Sequence, residues 1–249
     1  MDKAAGKKAV EVNLLKQNKA NTKKQGLAQH SRTLITHTSS RSPVSEQYKT
    51  IRTNIQFSSL DQQIRSIAVT SSGPAEGKST TVANLAVVFA QQGKKVLLID
   101  GDMRKPTVHY TFQLTNLIGL TNVLSKQTDF SNAVKLTEVE NLSVLVTGPI
   151  PPNPAELLGS QAMDNLMEEL YNSYDVILID TPPVLAVTDA QILATKCDGT
   201  ILVVNSGRTQ VDAAVKAKDL LETVNGKLLG VVLNQKKTSD SNYYYYYGE

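Results

Sequence analysis

The sequence predicts an α/β protein built on a mainly parallel, doubly wound sheet with helices on both faces. Short apolar runs rich in Val, Ile and Leu alternate along the chain with longer segments of helical periodicity, a pattern typical of βαβ units. Two of these runs, VLLID at 96–100 and VILID at 176–180, are apolar at every position before the aspartate. Both faces of such strands must be covered, which favours a buried parallel sheet.

The elements follow in order from local signals. Ser42 and Pro43 predict the start of a helix that continues to Leu60, because serine caps helices and proline fits the first turn. Strands are predicted near 66–70, 95–100, 142–147, 176–180, 200–205 and 228–234, and helices near 79–92, 117–126, 154–171, 188–196 and 210–224.

Composition divides the chain into three parts. Residues 1–41 hold nine Lys or Arg against two acidic residues and few apolar ones, which predicts a disordered basic tail. An anionic membrane surface or an acidic partner is the alternative role for this tail, and nucleic acid is the least favoured partner, so we predict none. Residues 42–238 are predicted to form the folded domain, and residues 239–249 a tyrosine-rich tail.

Cysteine content and hydropathy point to the cytoplasm. Cys197 is the single cysteine, and no charged-then-apolar signal segment opens the sequence. The apolar runs are far shorter than the roughly 20 residues that cross a bilayer. We therefore expect a cytoplasmic protein that does not span a membrane by itself.

A glycine-rich turn follows the first predicted strand and leads directly into a helix, in the segment TSSGPAEGKST. Backbone amides of such a turn cradle phosphate oxygens, Lys78 would reach the β- and γ-phosphates, and the Ser79 hydroxyl would bind Mg²⁺. The first glycine of the usual motif falls at Ser72, so the loop is a variant of Walker A. The predicted nucleotide-binding residues are Gly73, Pro74, Ala75, Glu76, Gly77, Lys78, Ser79 and Thr80.

Three aspartates stand at the ends of two further strands. Asp100 and Asp102 follow VLLI, and Asp180 ends VILI in a Walker B pattern. The carboxyl ends of parallel strands meet at one edge of the sheet, and carboxylates support Mg²⁺. We predict that these aspartates converge with Ser79 on one Mg²⁺ and that they are catalytic together with Lys78.

Two further polar residues complete the predicted site. Arg104 would either balance the phosphates or hold a neighbouring carboxylate; a solvated loop charge is the alternative. Asn234 ends the last strand, where its amide could bind the nucleobase, and NQKK replaces the guanine-reading N-K-x-D pattern. ATP is therefore the predicted nucleotide.

Together, TSSGPAEGKST, VLLIDGDMRKP and VILIDTPP resemble the Walker A, A′ and B motifs of bacterial tyrosine kinases. The similarity extends from about residue 42 to the C-terminus. It implies a P-loop fold and an ATP- and Mg²⁺-dependent kinase, similar to the separate cytoplasmic subunits that regulate capsule or exopolysaccharide synthesis in Gram-positive bacteria.

The resemblance also implies partners. Members of the family form ring-shaped homo-oligomers through an E-x-x-R-x-x-R motif, which this chain matches with Glu46, Lys49 and Arg52, with lysine at the first basic position. The three side chains would share one helix face. A transmembrane activator would recruit the chain to the inner membrane face through a cytoplasmic segment, and a cognate phosphotyrosine phosphatase would oppose it.

The C-terminal run Tyr243, Tyr244, Tyr245, Tyr246 and Tyr247 contains five of the nine tyrosines. We predict that it accepts phosphate in trans from a neighbouring subunit, with Asp100 or Asp102 orienting or deprotonating the hydroxyl; a sticky interaction tail is the alternative. The rival functions are a partitioning-type ATPase switch and a nucleotide-sensing scaffold. The partitioning class has a second lysine five residues before the Walker lysine, where this chain has Gly73.

Overall fold

The computed structural model describes residues 34–58 and 63–236 and confirms the mainly parallel α/β sheet. The strands are β1 Ser66–Ser71, β2 Val96–Asp100, β3 Lys135–Leu136, β4 Leu142–Leu145, β5 Val176–Asp180, β6 Gly199–Asn205 and β7 Leu228–Asn234. They lie in the order β3-β4-β2-β5-β1-β6-β7, and all neighbouring pairs are parallel except β3 with β4. The carboxyl ends of β1, β2 and β5 therefore meet at the centre of one sheet edge.

The helices confirm the alternating order and refine its boundaries. They are α1 Ile35–Thr38, α2 Pro43–Phe57, α3 Lys78–Ala90, α4 Val108–Thr111, α5 Leu120–Leu124, α6 Phe130–Ala133, α7 Pro154–Leu158, α8 Gln161–Ser173, α9 Asp189–Thr195 and α10 Val211–Thr223. The predicted helix 154–171 is two helices, because Ser160 adopts an extended conformation and begins α8 after Gly159. The helix predicted to reach Leu60 ends at Phe57.

Alternate residues of the buried strands face opposite layers. In β2, Val96 and Leu98 pack with α2 and α3, whereas Leu97 and Ile99 pack with α5 and α8. A third cluster joins α9 and α10 to Leu202 in β6. Both faces of the sheet are thus covered, as the continuous apolar runs predict.

The N-terminal helices pack on the outside of α3, so that every residue from Thr81 to Ala90 is buried. Thr36 donates its backbone N–H and its hydroxyl to Asn84 Oδ1, at 3.0 and 2.8 Å. The Asn84 amide in turn donates to the Thr80 carbonyl in the first turn of α3. The folded part therefore includes α1, ahead of the start predicted at residue 42.

Some predictions fall beyond the described ranges. Residues 1–33, which form most of the predicted basic tail, and residues 237–249 with Tyr243–Tyr247 lie outside the described residues, as do residues 59–62. No helix in the described ranges combines the length and apolar character needed to cross a bilayer.

Candidate nucleotide site

The phosphate loop lies between the end of β1 and the start of α3. Its backbone turns sharply, with Ala75 and Gly77 in the left-handed region at φ 62° and 95°. A Cβ atom on Gly77 would lie 2.0 Å from Nδ2 of Asn234, so only glycine fits there. The loop leads into the amino end of α3, where backbone amides are available to an anion.

The Glu76 side chain closes the loop where the usual first glycine is missing. Its Oε2 accepts the backbone N–H of Ser72 at 2.9 Å, and Ser72 is buried. The Ser71 hydroxyl donates to the Gly73 carbonyl at 2.7 Å. These side-chain bonds across the turn give the variant loop a defined shape.

Lys78 reaches across the mouth of the sheet to two of the predicted aspartates. Its ammonium lies 3.0 Å from Asp102 Oδ2, 3.3 Å from Asp180 Oδ1 and 3.2 Å from the Ser79 hydroxyl. Burial alone would lower the pKa of Lys78, but Asp180 and Asp102 outweigh it and raise that pKa above its ordinary value. Lys78 is therefore a charged group held where phosphates would enter.

Asp100 is held by backbone rather than by a cation. Its Oδ2 accepts the N–H groups of Thr107 and Val108, both at 3.0 Å, and the side chain is fully buried. Burial, reinforced by the neighbouring Asp180, raises the pKa of Asp100 to about 8, although the Val108 amide and Lys78 oppose the shift. The raised pKa favours the protonated form of the Asp100 carboxyl near neutral pH.

The donor set fits Mg²⁺ shared with a nucleotide better than a metal held by protein alone. Among the described residues, no three His, Cys, Asp or Glu side chains are arranged as a ligand group. In this structure Lys78 contacts Asp102 and Asp180, and backbone amides bond one oxygen of Asp100. The convergence of the three aspartates on one Mg²⁺ stays a prediction. Mg²⁺ typically uses one or two carboxylates with phosphates and water.

Two buried oxygens remain open for that role. Asp100 Oδ1 and Asp180 Oδ2 have no hydrogen-bond partner among the described residues. Burial raises the pKa of Asp180 above its ordinary value, and the Lys78 ammonium lowers it only in part. With the nearby Ser79 hydroxyl, these oxygens would bind Mg²⁺ directly or through water.

Arg104 and Asn234 have protein partners in this structure. Arg104 donates from Nε and Nη2 to the fully buried carboxylate of Asp189, at 2.9 and 3.0 Å. Asn234 donates its amide to the Glu76 carbonyl at 2.9 Å and so supports the phosphate loop from the end of β7. Arg104 thus holds a neighbouring carboxylate, which is one of its predicted roles. Asn234 lies beside the phosphate loop.

The predicted oligomer residues also make contacts within the chain. Lys49 pairs with Glu46 at 2.7 Å, and both side chains are partly exposed. Arg52 Nη1 donates to the Val88 carbonyl at 2.8 Å, near the carboxyl end of α3. The helix that carries this motif is therefore anchored on the helix that begins at the phosphate loop.

Sequence reasoning missed Asp189, Thr209 and Asn205. The Thr209 hydroxyl donates to Glu76 Oε1 at 2.6 Å and accepts the Asn205 N–H at 2.8 Å. No motif surrounds these residues, and the contacts of Asp189 with Arg104 and of Thr209 with Glu76 join positions distant in sequence. Only the strand order, which brings β6 beside β1, could have placed the loop after β6 against the phosphate loop.

The fold and the site define a P-loop nucleotide-binding protein of the parallel α/β type. A family model described as an AAA domain matches residues 64–228. The chain is 56% identical to tyrosine-protein kinase YwqD of Bacillus subtilis (strain 168), over 87% of this chain and 92% of that protein. It is 42% identical to tyrosine-protein kinase CpsD of Streptococcus agalactiae, over 82% of this chain and 90% of that protein.

Solved structures agree with these relatives. The chimerical protein CapA2B2 matches at a TM-score of 0.80 and 47% identity, over 82% of this chain and 90% of that one. The septum site-determining protein MinD of Pyrococcus horikoshii, complexed with Mg-ADP, matches at 0.60 and 27%, over 71% and 72% of the two chains. The chain belongs to the bacterial tyrosine kinase family.

Proposed function

We propose that this chain is an ATP- and Mg²⁺-dependent protein-tyrosine kinase that phosphorylates its own run Tyr243–Tyr247 in trans. The observation that carries the proposal is the Lys78 ammonium, held beside Asp102 and Asp180 at the mouth of a phosphate loop, in a chain similar to tyrosine-protein kinases. Regulation of capsular or exopolysaccharide synthesis is the role implied by the family resemblance.

The arrangement supports phosphoryl transfer through positioning and charge. The loop amides and Lys78 would hold the β- and γ-phosphates, and entry of the phosphates would draw Lys78 away from Asp102 and Asp180. Mg²⁺, when bound by Ser79 and the aspartates, supplies additional positive charge to the phosphates.

The acceptor needs a base because a free tyrosine has a pKa near 10 and is protonated at neutral pH. Asp102, once released by Lys78, is one carboxylate that would orient the hydroxyl or take its proton. Asp100 becomes a second candidate after it loses its own proton. Either assignment keeps the chemistry at the junction of β1, β2 and β5.

The wider assembly is part of the same proposal. A homo-oligomeric ring would use Glu46, Lys49 and Arg52, and the tail of one subunit would enter the site of its neighbour. The cytoplasmic segment of a transmembrane activator would recruit the chain to the inner face of the membrane. A phosphotyrosine phosphatase would remove the phosphates from the tail. The match to kinase-domain structures, including the CapA2B2 chimera, supports these partners as a class.

A partitioning-type ATPase is the less favoured function, although MinD shares the fold. The lysine that this class places five residues before the Walker lysine is replaced here by Gly73. The tyrosine run also has no role in a nucleotide-switched dimer. A nucleotide-sensing scaffold would bind ATP without transferring phosphate.

The test is to incubate the full chain with ATP and Mg²⁺, with and without an activator segment, and to map phosphate by mass spectrometry. Phosphate on Tyr243–Tyr247 should appear in the wild type and in Lys216→Met, which changes an exposed lysine on α10. It should disappear in Lys78→Met. ATP hydrolysis without phosphotyrosine under both conditions would instead support the ATPase switch.

A further inference from the structure

The phosphate loop contains an acidic side chain, which is unfavourable beside a triphosphate unless the carboxylate is otherwise engaged. Glu76 is 7% exposed, and both of its oxygens accept hydrogen bonds from the protein. Oε2 takes the backbone N–H of Ser72, within the loop itself. Oε1 takes the hydroxyl of Thr209, which lies outside every nucleotide-binding motif of the chain.

The direction of the Thr209 bond is fixed by its other partner. The Thr209 oxygen accepts the backbone N–H of Asn205 at 2.8 Å, and a carboxylate can only accept. The single hydroxyl proton of Thr209 is therefore directed to Glu76 Oε1, at 2.6 Å. A short bond to a charged acceptor is among the stronger hydrogen bonds in proteins.

We infer that Thr209 is a positioning residue for phosphate binding, because its hydroxyl fixes the Glu76 carboxylate that holds the loop amide of Ser72. The inference rests on the proposed nucleotide site and adds a residue from the turn after β6. Thr209 acts through Glu76 and not by contact with the nucleotide.

A second hydrogen bond to Glu76 limits the expected effect of a substitution at Thr209. Asn234 donates to the backbone carbonyl of Glu76, and this bond does not involve Thr209. Loss of the Thr209 hydroxyl should therefore loosen the loop without unfolding it. Thr209 is itself only partly buried, so we expect thermal unfolding of Thr209→Val to stay close to that of the wild type.

The test measures Mg²⁺-dependent binding of a fluorescent ADP to the full chain, with inorganic triphosphate as a competitor. In Thr209→Val the affinities for ADP and for triphosphate should both fall about tenfold. Thr209→Ser, which keeps the hydroxyl, should recover most of both affinities. Thr223→Val, which removes an exposed hydroxyl bonded to the Asp219 carbonyl, should bind like the wild type.

Comparison of ADP with triphosphate distinguishes a positioning role of Thr209 from its direct contact with the nucleotide. A loss for ADP without a loss for triphosphate would overturn the inference, because Thr209 would then contact the base or sugar. Wild-type affinity of Thr209→Val for both ligands would also overturn it. Failure of the wild type to bind either ligand would refute the proposed function itself.

A double-mutant cycle with Glu76→Gln gives an independent check. If Thr209 acts through Glu76, adding Thr209→Val to Glu76→Gln should weaken binding little further. Losses that multiply in the double variant would mean that the two residues act separately, which contradicts the inference.

Discussion

Asp100 is a side chain whose protonation differs from that of a free carboxyl. It is enclosed by protein, accepts two backbone amides and faces Asp180 across neighbouring strands. Its pKa is about 8 in the folded protein against 3.8 ordinarily. The folded state thus binds a proton that the unfolded state has released.

The stability of the nucleotide-free protein should therefore fall as pH rises from about 4 through 8, because the unfolded chain binds fewer protons in that window. One such group changes the free energy of unfolding by at most about 1.4 kcal/mol per pH unit. Asp100→Asn cannot ionise and should show a smaller fall. Urea unfolding at several pH values measures both slopes, and identical slopes would contradict the prediction.

Substitution can distinguish an Arg104 that holds the Asp189 carboxylate from one that binds the phosphates. Arg104→Ala should reduce the free energy of unfolding by roughly 1 to 3 kcal/mol, because it leaves the buried Asp189 carboxylate without its partner. The 41% exposure of the Arg104 side chain lets water offset part of the loss. Chemical denaturation of Arg104→Ala, Arg104→Lys and Asp189→Asn provides the comparison.

If Arg104 serves Asp189, the double variant Arg104→Ala with Asp189→Asn should be more stable than Arg104→Ala alone. If Arg104 instead serves the phosphates, Arg104→Ala should weaken ATP binding while Asp189→Asn leaves it unchanged. The bidentate geometry favours the first result.

Predictability at the residue scale depends on sequence distance. Lys78 and Ser79 could be found because phosphate binding imposes a local motif on consecutive residues. Asp189 lies 85 residues from Arg104, and Thr209 lies 133 residues from Glu76, so nothing local signals either contact. Such pairs follow only from the order of strands in the sheet.

At the element scale, the strands were predictable because burial on both faces leaves continuous apolar runs, as in β2 and β5. The short elements α1, α4, α6 and β3 escaped prediction because they have two to four residues and no period to detect. The break at Gly159 was missed because both flanking segments continue an amphipathic pattern. The extended backbone of Ser160 marks the break in the structure, and the Gly159-Ser160 pair is its local sequence signal for a helix end and a new helix start.

The contact between α1 and α3 gives a prediction for these short elements. Thr36→Val keeps the shape of a fully buried side chain but removes its hydroxyl bond to Asn84. We expect a loss of about 1 to 2 kcal/mol in the free energy of unfolding, measured by urea denaturation. Thr38→Val, on the exposed side of the same helix, is the matched control and should change little.

An equal effect of the two threonine variants would mean that the Thr36 hydroxyl bond to Asn84 contributes nothing to stability. A larger effect of Thr36→Val would instead show that the folded domain needs residues ahead of position 42. It would also connect α1 with the first turn of the P-loop helix, because Asn84 bonds the Thr80 carbonyl.

On the scale of the whole molecule, the proposed tail and the carboxylates of the site carry charge of the same sign once phosphate is added. Each phosphotyrosine carries about −1.5 to −2 charges, and the mouth contains Asp100, Asp102 and Asp180. Phosphorylation in trans should therefore release the tail and loosen the oligomer. Light scattering before and after incubation with ATP should report a fall in mass.

The control for this prediction is a variant with phenylalanine at positions 243 to 247. It should keep its mass in the presence of ATP and Mg²⁺, because no acceptor hydroxyl remains in the run. An unchanged oligomer mass after full phosphorylation of the wild type would contradict the release of the tail.

The close approach of Gly77 to Asn234 also changes how a mutational scan of this protein should be interpreted. Position 77 will tolerate substitution as poorly as position 78, yet for a different reason, since an added carbon would displace the amide at the end of β7. Loss of function on substitution within the phosphate loop can therefore reflect lost packing against the last strand as well as lost contact with phosphate. Variants at Asn234 with a shorter side chain should relieve this clash and rescue a substitution at Gly77 only in part, because a side chain at φ 95° remains strained.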